Sequence, residues 1–226
     1  MFKLLKNFEA IRLDEFLIVA DLHLGFEVEL RKQGYYMLNQ TSRLLEKIFK
    51  CAGRARKLII NGDLKHSIFL SSKEKVEIPK FISELCMRFE EVVLILGNHD
   101  GLLRNLIKPR PRNFRITKSL LHGNFLIFHG HAWPPRRYLK LAEIAIMAHV
   151  HPVVELGKFN FRKCWVIGGI DKEAISRKLG FKCNLSKVVI MPCFNDYFAG
   201  SKTLISPLSP FISEEKCFLL DLTQVR

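Results

Sequence analysis

The 226-residue sequence predicts an α/β fold on three observations. Apolar runs that empty abruptly into polar clusters recur five times, helical periodicities lie between them, and the last part of the chain turns strand-rich. Continuous apolar runs of this kind, instead of alternating ones, suit strands covered on both faces.

Taken in order, "FLIVADLHLG" (16–25) reads as a strand followed by a turn. In "MLNQTSRLLEKIFKCAG" (37–53), Thr41, Leu44, Leu45, Ile48 and Phe49 fall at i, i+3, i+4, i+7 and i+8, and Gly53 is placed to stop the helix. "KLIINGDLKH" (57–66) repeats the strand-then-polar form. "SKEKVEIPKFISELCMRFEE" (72–91) carries a second helix that continues after Pro79. "VVLILGNHD" (92–100), "FLIFHGH" (125–131) and "AIMAHVHP" (145–152) are three further strand ends. "PPRRYLKLAEIAI" (134–146) starts a third helix, with proline tolerated in its first turn. "KFNFRKCWVIGG", "KVVIMPCF" and "CFLLDL" read as short strands, the last closing a sheet. The polar clusters sit at strand C-termini, where open α/β sheets place their sites.

The length supports one sizeable core, so a single domain over 1–226 is expected. No stretch approaches the ~18 consecutive apolar residues of a membrane span. The N-terminal "MFKLLKNFEAIRLDEF" is too regularly charged for a signal peptide, which makes a cytoplasmic location the expectation. Six cysteines without a C-x-x-C spacing read as reduced core residues. The excess of 36 Lys+Arg over 22 Asp+Glu gives a net charge of +14 and favours polyanionic partners, nucleic acid first.

Seven potential metal ligands gather at the five strand ends: Asp21, His23, Asp63, Asn98, His129, His149 and His151. A lone strand-end Asp is usually a cap and a lone His a hydrogen-bonded core residue, but chance would have to repeat at every apolar run. The donors are oxygen and imidazole nitrogen with no thiolate, which suits divalent Mn, Fe, Zn or Ni. Seven exceed what one tetrahedral ion can use and suffice for two ions sharing a carboxylate. Two dications about 3.5–4 Å apart are a device for displacement at phosphorus. With only Asp21 and Asp63 as charged ligands, such a site stays positive and selects an anionic substrate. A D-x-H on an extended or turning backbone lets Asp21 and His23 point to the same side.

The set "DLH…GD…GNHD…HGH…AHVH" resembles the calcineurin-like metallophosphoesterase superfamily, across residues 21–152. "ADLHLG", "NGDLKH", "HVHP" and "VVIMPCFNDYFAG" (188–200) are similar to a smaller branch, that of archaeal phosphoesterases related to the SbcD-type DNA-repair nuclease and of bacterial ligase-associated phosphoesterases. The resemblance implies a two-sheet β-sandwich flanked by helices, in α/β/β/α layers. It implies two divalent ions per chain, manganese first. Asp21, His23 and His151 would bind one, Asn98, His129 and His149 the other, and Asp63 would bridge. His99 would act on the substrate as a hydroxide bridging the metals attacks phosphorus. Gly97 would let the backbone turn tightly. Asp100 would either orient His99 or cap the helix beginning "GLLRNLIK", and His131 would support a ligand from behind. Ala148 stands where the family has glycine; a positive φ there would strain it by roughly 1 kcal/mol.

The motifs give the reaction and leave the substrate open. Two basic segments, "LLRNLIKPRPRNFRITK" (102–118) and "PPRRYLK", follow ligand-bearing strand ends and offer Arg104, Arg136 and Arg137 to a phosphate backbone. The expected activity is phosphodiester hydrolysis in nucleic acid, nuclease-like; the alternative is a small-molecule phosphodiesterase or phosphatase acting on nucleotides. A binding module with a decayed site is the third reading.

Overall fold

The computed structural model describes residues 1–198 and 200–225; Ala199, within the 188–200 stretch, and the terminal Arg226 lie outside them. Its first sheet begins with an antiparallel meander of β1 (Phe2–Leu4), β2 (Ile11–Leu13) and β3 (Phe16–Val19). It continues in parallel through β4 (Lys57–Asn61), β5 (Glu91–Ile95) and β6 (Phe114–Thr117). The parallel crossovers carry α1 (Phe26–Lys32), α2 (Thr41–Ala52), α3 (Ser72–Arg88) and the short α4 (Leu103–Leu106).

The second sheet contains β7 (Ser119–His122), β8 (Phe125–Phe128), β9 (Ile144–Met147), β10 (Val153–Glu155), β11 (Phe161–Ile170), β12 (Lys187–Ile190) and β13 (Ile212–Leu219). Its order is β10-β11-β12-β9-β8-β7, with β13 also paired to β11. β8, β9 and β12 run parallel and the other pairs antiparallel. Helices α5 (Arg136–Leu141) and α6 (Lys172–Leu179) complete the chain.

Three apolar layers show why the strands read as unbroken hydrophobic runs. Alternate residues of the first sheet, Leu17, Val19, Leu58, Ile60, Val92 and Leu94, pack against Leu44 and Ile48 of α2 and Phe81 and Leu85 of α3. Their neighbours Ile18, Ile59, Val93 and Ile95 point the other way, into a middle layer shared with Ile127, Ile146, Trp165 and Val189 of the second sheet. The outer face of that sheet packs on Leu139 of α5 and Ile175 of α6. Both faces of each sheet are covered, so period-two alternation disappears. The layering is the helix–sheet–sheet–helix arrangement expected.

Local signals account for the helix bounds. α3 opens with a reciprocal capping box between Ser71 and Glu74 and runs unbroken through Pro79. Gly53 terminates α2 with φ 51°. α6 is capped by Asp171, whose side chain accepts from Ala174 N at 2.9 Å, and ends on left-handed Gly180. The strand read in "CFLLDL" is the end of a longer one that starts at Ile212. No disulfide joins any of the six cysteines, and all but Cys86 are buried.

Trp165 is the largest fully buried side chain and fills the layer between the two sheets. Trp165→Ala is expected to cost about 3–5 kcal/mol, measured by chemical denaturation; a loss under about 1 kcal/mol would mean the sheets do not rely on that contact.

Candidate metal centre

The five ligand-bearing runs become β3, β4 and β5 of the first sheet and β8 and β9 of the second. Within each sheet these strands are parallel neighbours, so their C-terminal ends lie together and the two groups meet at one edge of the sandwich. Asp21, His23, Asp63 and His129 are buried to within 1% of full burial; His149 and His151 are half-buried and Asn98 is exposed.

The side chains form two overlapping groups that share Asp63. In one, His151 Nε2 lies 3.3 Å from Asp21 Oδ1 and 3.4 Å from His23 Nε2, with His23 Nε2 3.9 Å from Asp63 Oδ2. In the other, His129 Nε2 lies 3.2 Å from both Asp63 Oδ2 and Asn98 Oδ1, with His149 alongside. Asp21 Oδ1 is buried and accepts no hydrogen bond. A buried carboxylate oxygen without a donor, surrounded by imidazoles, is costly unless a cation meets it. Two carboxylates, four imidazoles and an amide oxygen fit first-row divalent cations.

Backbone conformation sets these positions. Asp21 (φ 56°), His23 (φ 43°), Asp63 (φ 46°), His149 (φ 71°) and His151 (φ 44°) are all left-handed. Each such residue costs roughly 1–2 kcal/mol, and strain of this kind concentrates at functional sites. Of the extended and turning backbones that would aim Asp21 and His23 to one side, the structure has the turning one: both lie beyond the end of β3, and a left-handed pair flanking Leu22 aims them. The strain expected at Ala148 does not arise, because positive φ falls on His149 and His151 instead. The reading of Gly97 as a tight-turn residue is corrected as well. Its φ is not positive; a Cβ there would overlap the carboxylate and backbone nitrogen of Asp63. Gly62 does need its left-handed φ of 88°, and a Cβ there would also strike His129.

Asp100 neither contacts the His99 ring nor caps α4. It is buried, accepting from Gly97 N at 2.9 Å and from Lys65 N at 3.4 Å, and so ties the turn after β5 to the loop after β4. Burial, with the charge of Asp63 adding, pushes its carboxyl up to about 6. His131 is exposed and meets the rings of His129 and His149 at 5.3 and 6.1 Å between centroids, without a hydrogen bond to either. The carbonyl of Asn61 supports His129 from behind, 3.0 Å from Nδ1. Arg136 stacks on Phe181 and Arg137 on Tyr138, and Arg104 is exposed. None of these arginines lines the groove of about 480 Å³ that opens beside His129; Lys118, His131 and Trp133 do.

Several residues at the site lie in quoted motifs but were given no role there. His66 places Nδ1 3.4 Å from His23 Nδ1 and Nε2 2.7 Å from Glu29, while its carbonyl bonds His99 Nδ1. Lys65 is fully buried, and its Nζ donates to the carbonyls of Ser67, Ile68 and His99. Cys193 lies beside His23 and His151, but burial pushes its thiol up and its Sγ donates to the Asp21 carbonyl at 3.1 Å. Phe198 stacks on His23 with centroids 4.2 Å apart.

The protonation pattern follows from charge. Burial pushes His23 down to about 3, and burial with the charge of His129 pushes His149 down to about 4, so both are neutral at pH 7. His129 behaves oppositely. Burial opposes its charge, but its hydrogen bond to Asp63 and the charges of Asp63 and Asp21 lift it to about 9.

Residues 15–171 match the family model for calcineurin-like phosphoesterases. The chain belongs to that family. It is a metal-dependent phosphoester hydrolase, and its clustered Asp and His side chains fit a metal site. The nuclease MPE of Pseudomonas putida has the same fold, with a TM-score of 0.63 over 99% of this chain and 94% of that one, at 20% identity. A protein of unknown function from Aquifex aeolicus, AQ665, superposes on 60% of this chain and 78% of its own, with a TM-score of 0.41 and 17% identity. Comparison of the sequence with curated proteins gives no match.

Two outcomes are expected. A cation that takes His129 Nε2 as a ligand would displace its proton, so Mn²⁺ affinity should rise about tenfold per pH unit from pH 7 to about 9, with proton release seen by calorimetry in buffers of differing ionisation enthalpy. An affinity flat over that range would place the proton elsewhere. Gly97→Ala should weaken Mn²⁺ binding by about 100-fold through displacement of Asp63, a change on the scale of losing a supporting contact to a ligand. Wild-type affinity in that variant would show the turn to be plastic.

Proposed function

We propose that the protein is a two-metal phosphodiesterase acting on nucleic acid. Asp21, His23 and His151 hold one divalent cation, Asn98, His129 and His149 a second, and Asp63 belongs to both; manganese is the proposed metal. When bound, the cations supply Lewis-acid stabilisation of the phosphoryl oxygens and a water acidic enough to attack at neutral pH.

The chain's own residues do the rest. His99 is held by three contacts: its N–H donates to Asp63 Oδ1 at 2.9 Å, its carbonyl accepts from Lys65, and its Nδ1 donates to the carbonyl of His66. With Nδ1–H committed to the His66 carbonyl, Nε2 is the atom that faces a substrate oxygen and carries a transferable proton when the ring is an imidazolium, and it sits 3.9 Å from Asp63 Oδ2 at the edge of the centre. His99 donates that proton to the leaving oxygen or hydrogen-bonds a non-bridging oxygen. Asn61 and Asp100 keep the ligands in place through His129 and the 97–100 turn.

The observation that carries the nucleic-acid reading is that the centre has a groove on each side. One, with Lys118 and Trp133, opens at His129; the other has Phe198, which stacks on His23, in its wall. A substrate that continues in both directions from the scissile phosphate would use both. The P. putida protein being a nuclease supports the same class.

After reconstitution with Mn²⁺, bis-p-nitrophenyl phosphate should be hydrolysed well above p-nitrophenyl phosphate, and single-stranded DNA or RNA should be cut. Turnover confined to cyclic or mononucleotides would sink the nucleic-acid reading. His99→Ala should retain the wild-type metal content while losing about 10²–10⁴-fold in kcat; unchanged turnover would remove His99 from the chemistry.

A further inference from the structure

A groove of about 1060 Å³ lies against the metal centre but outside it. Phe198 is one of its walls. The ring of Phe198 stacks on His23 with planes 13° apart and meets His151 edge-on at 4.7 Å, so a single aromatic ring separates the groove from two proposed ligands. The other walls include Phe161 and Leu156, each nearly half exposed, and Leu219 and Leu220.

The charges in this groove are unevenly satisfied. Its two carboxylates are neutralised from behind: Glu9 by Lys47 at 2.8 Å and Lys163 at 3.1 Å, Asp196 by Lys47 at 2.6 Å and Arg43 at 3.3 Å. Lys202 pairs with Glu155 at the rim, 2.8 Å away, with its ammonium 5.4 Å from the Phe161 ring centroid. The Arg162 guanidinium has no ion-pair or hydrogen-bond partner among the described residues, its backbone being paired in β11. The surface offered to a ligand is therefore apolar and aromatic with an uncommitted guanidinium beside it.

We infer that this groove binds the unstacked bases of a single-stranded polynucleotide on one side of the phosphate held at the metal centre. Phe161 offers its ring to a base, with Phe198 in the wall toward His23, and the Arg162 guanidinium meets the backbone; Lys202 is held at the rim by Glu155. Aromatic rings beside unpaired cations are how single strands are held without sequence readout. A duplex keeps its bases stacked and paired inside, and would present only phosphates to a wall built of Phe161, Leu156 and Leu220. A volume at the upper end of the roughly 300–1,000 Å³ typical of small-ligand pockets accommodates more than a terminal phosphate. The inference rests on the nucleic-acid reading above and adds to it the location and strandedness of the bound chain.

The test compares two substrates in each protein: a single-stranded oligonucleotide, which reaches the groove, and bis-p-nitrophenyl phosphate, which is too short to. Phe161→Ala should lower the oligonucleotide kcat/KM about tenfold relative to that of the small diester, the scale of one lost base stack, with the change in KM. Phe161→Tyr, which keeps the ring, should restore the ratio. Arg162→Gln should reduce the slope of log KM against log salt by about 0.7, the loss of one single-strand phosphate contact. Two results would overturn the inference in different ways. Equal losses on both substrates would make Phe161 merely structural while nucleic-acid cleavage stands. A wild type that hydrolyses the small diester and no polynucleotide would remove the nucleic-acid reading itself.

Discussion

Two buried carboxylates, Asp21 and Asp63, lie close enough for their oxygens to share a ligand, and among the described residues no lysine or arginine forms an ion pair with either. That constraint organises the rest of the molecule. An ionised carboxylate taken out of water without a partner costs several kcal/mol, so the fold can hold two only where positive charge is supplied. The protein supplies part of it through His129, whose imidazole is lifted to about 9 by the same two carboxylates. Divalent cations bound as proposed above would supply more at shorter range and would compete for the same nitrogen. The centre is thus a place where a proton and a metal ion are alternatives, and its electrostatics favour whichever brings the larger charge to Asp63.

Geometry follows from the same demand. Five strand ends must deliver ligands to one small volume from two different sheets. Parallel pairing does this within each sheet, and the apolar layer of Ile18, Ile59, Val93, Ile127 and Ile146 holds the two sets of ends in register. The strands stop short of the ligands. The left-handed residues then reverse the backbone so that carboxylates and imidazoles converge instead of splaying. Close approach replaces side chains where it must: Gly62 and Gly97 leave room for His129 and Asp63. Lys65, buried beneath the loops, draws the carbonyls of Ser67, Ile68 and His99 onto one ammonium and so couples the loop after β4 to the turn after β5.

The strands that carry the site were legible because burial on both faces leaves unbroken apolar runs, and the potential ligands because each run ends in a residue a core would not otherwise hold. What escaped reading depends on contacts between distant segments. Phe198, Cys193 and Lys65 fall in stretches that resemble the smaller branch, but their roles show only when the fold brings them to His23, Asp21 and His99. His66 follows Asp63 by three residues in "GDLKH" and could have been suspected from that proximity, but its link to Glu29 spans 37 positions. The meander of β1 and β2 and the helices α1 and α6 went unread because they are short. For α6, Asp171 and Gly180 were the available cap signals. The conformational role given to Gly97 was wrong because a sequence shows that a side chain is absent without showing what occupies its space.

The basic surplus divides by location, and this decides what it does. Arg56 with Glu90, Lys57 with Glu15 and Arg115 with Glu91 are ion pairs at the starts of β4, β5 and β6, the end of the sheet away from the ligands. Such exposed pairs contribute little to stability and offer no free charge to a ligand. From the 102–118 segment, the residue that lines the groove at His129 is Lys118, which follows β6 at the ligand end. On the His23 side the uncommitted cation is Arg162, with Lys202 at the rim. A net charge of +14 raises the rate of encounter with any polyanion. It cannot choose where along the surface a phosphate chain comes to rest. For the nucleic-acid substrate proposed above, the few cations left unpaired near the centre among the described residues would make that choice, because a backbone phosphate gains most where no protein carboxylate already holds the charge it needs.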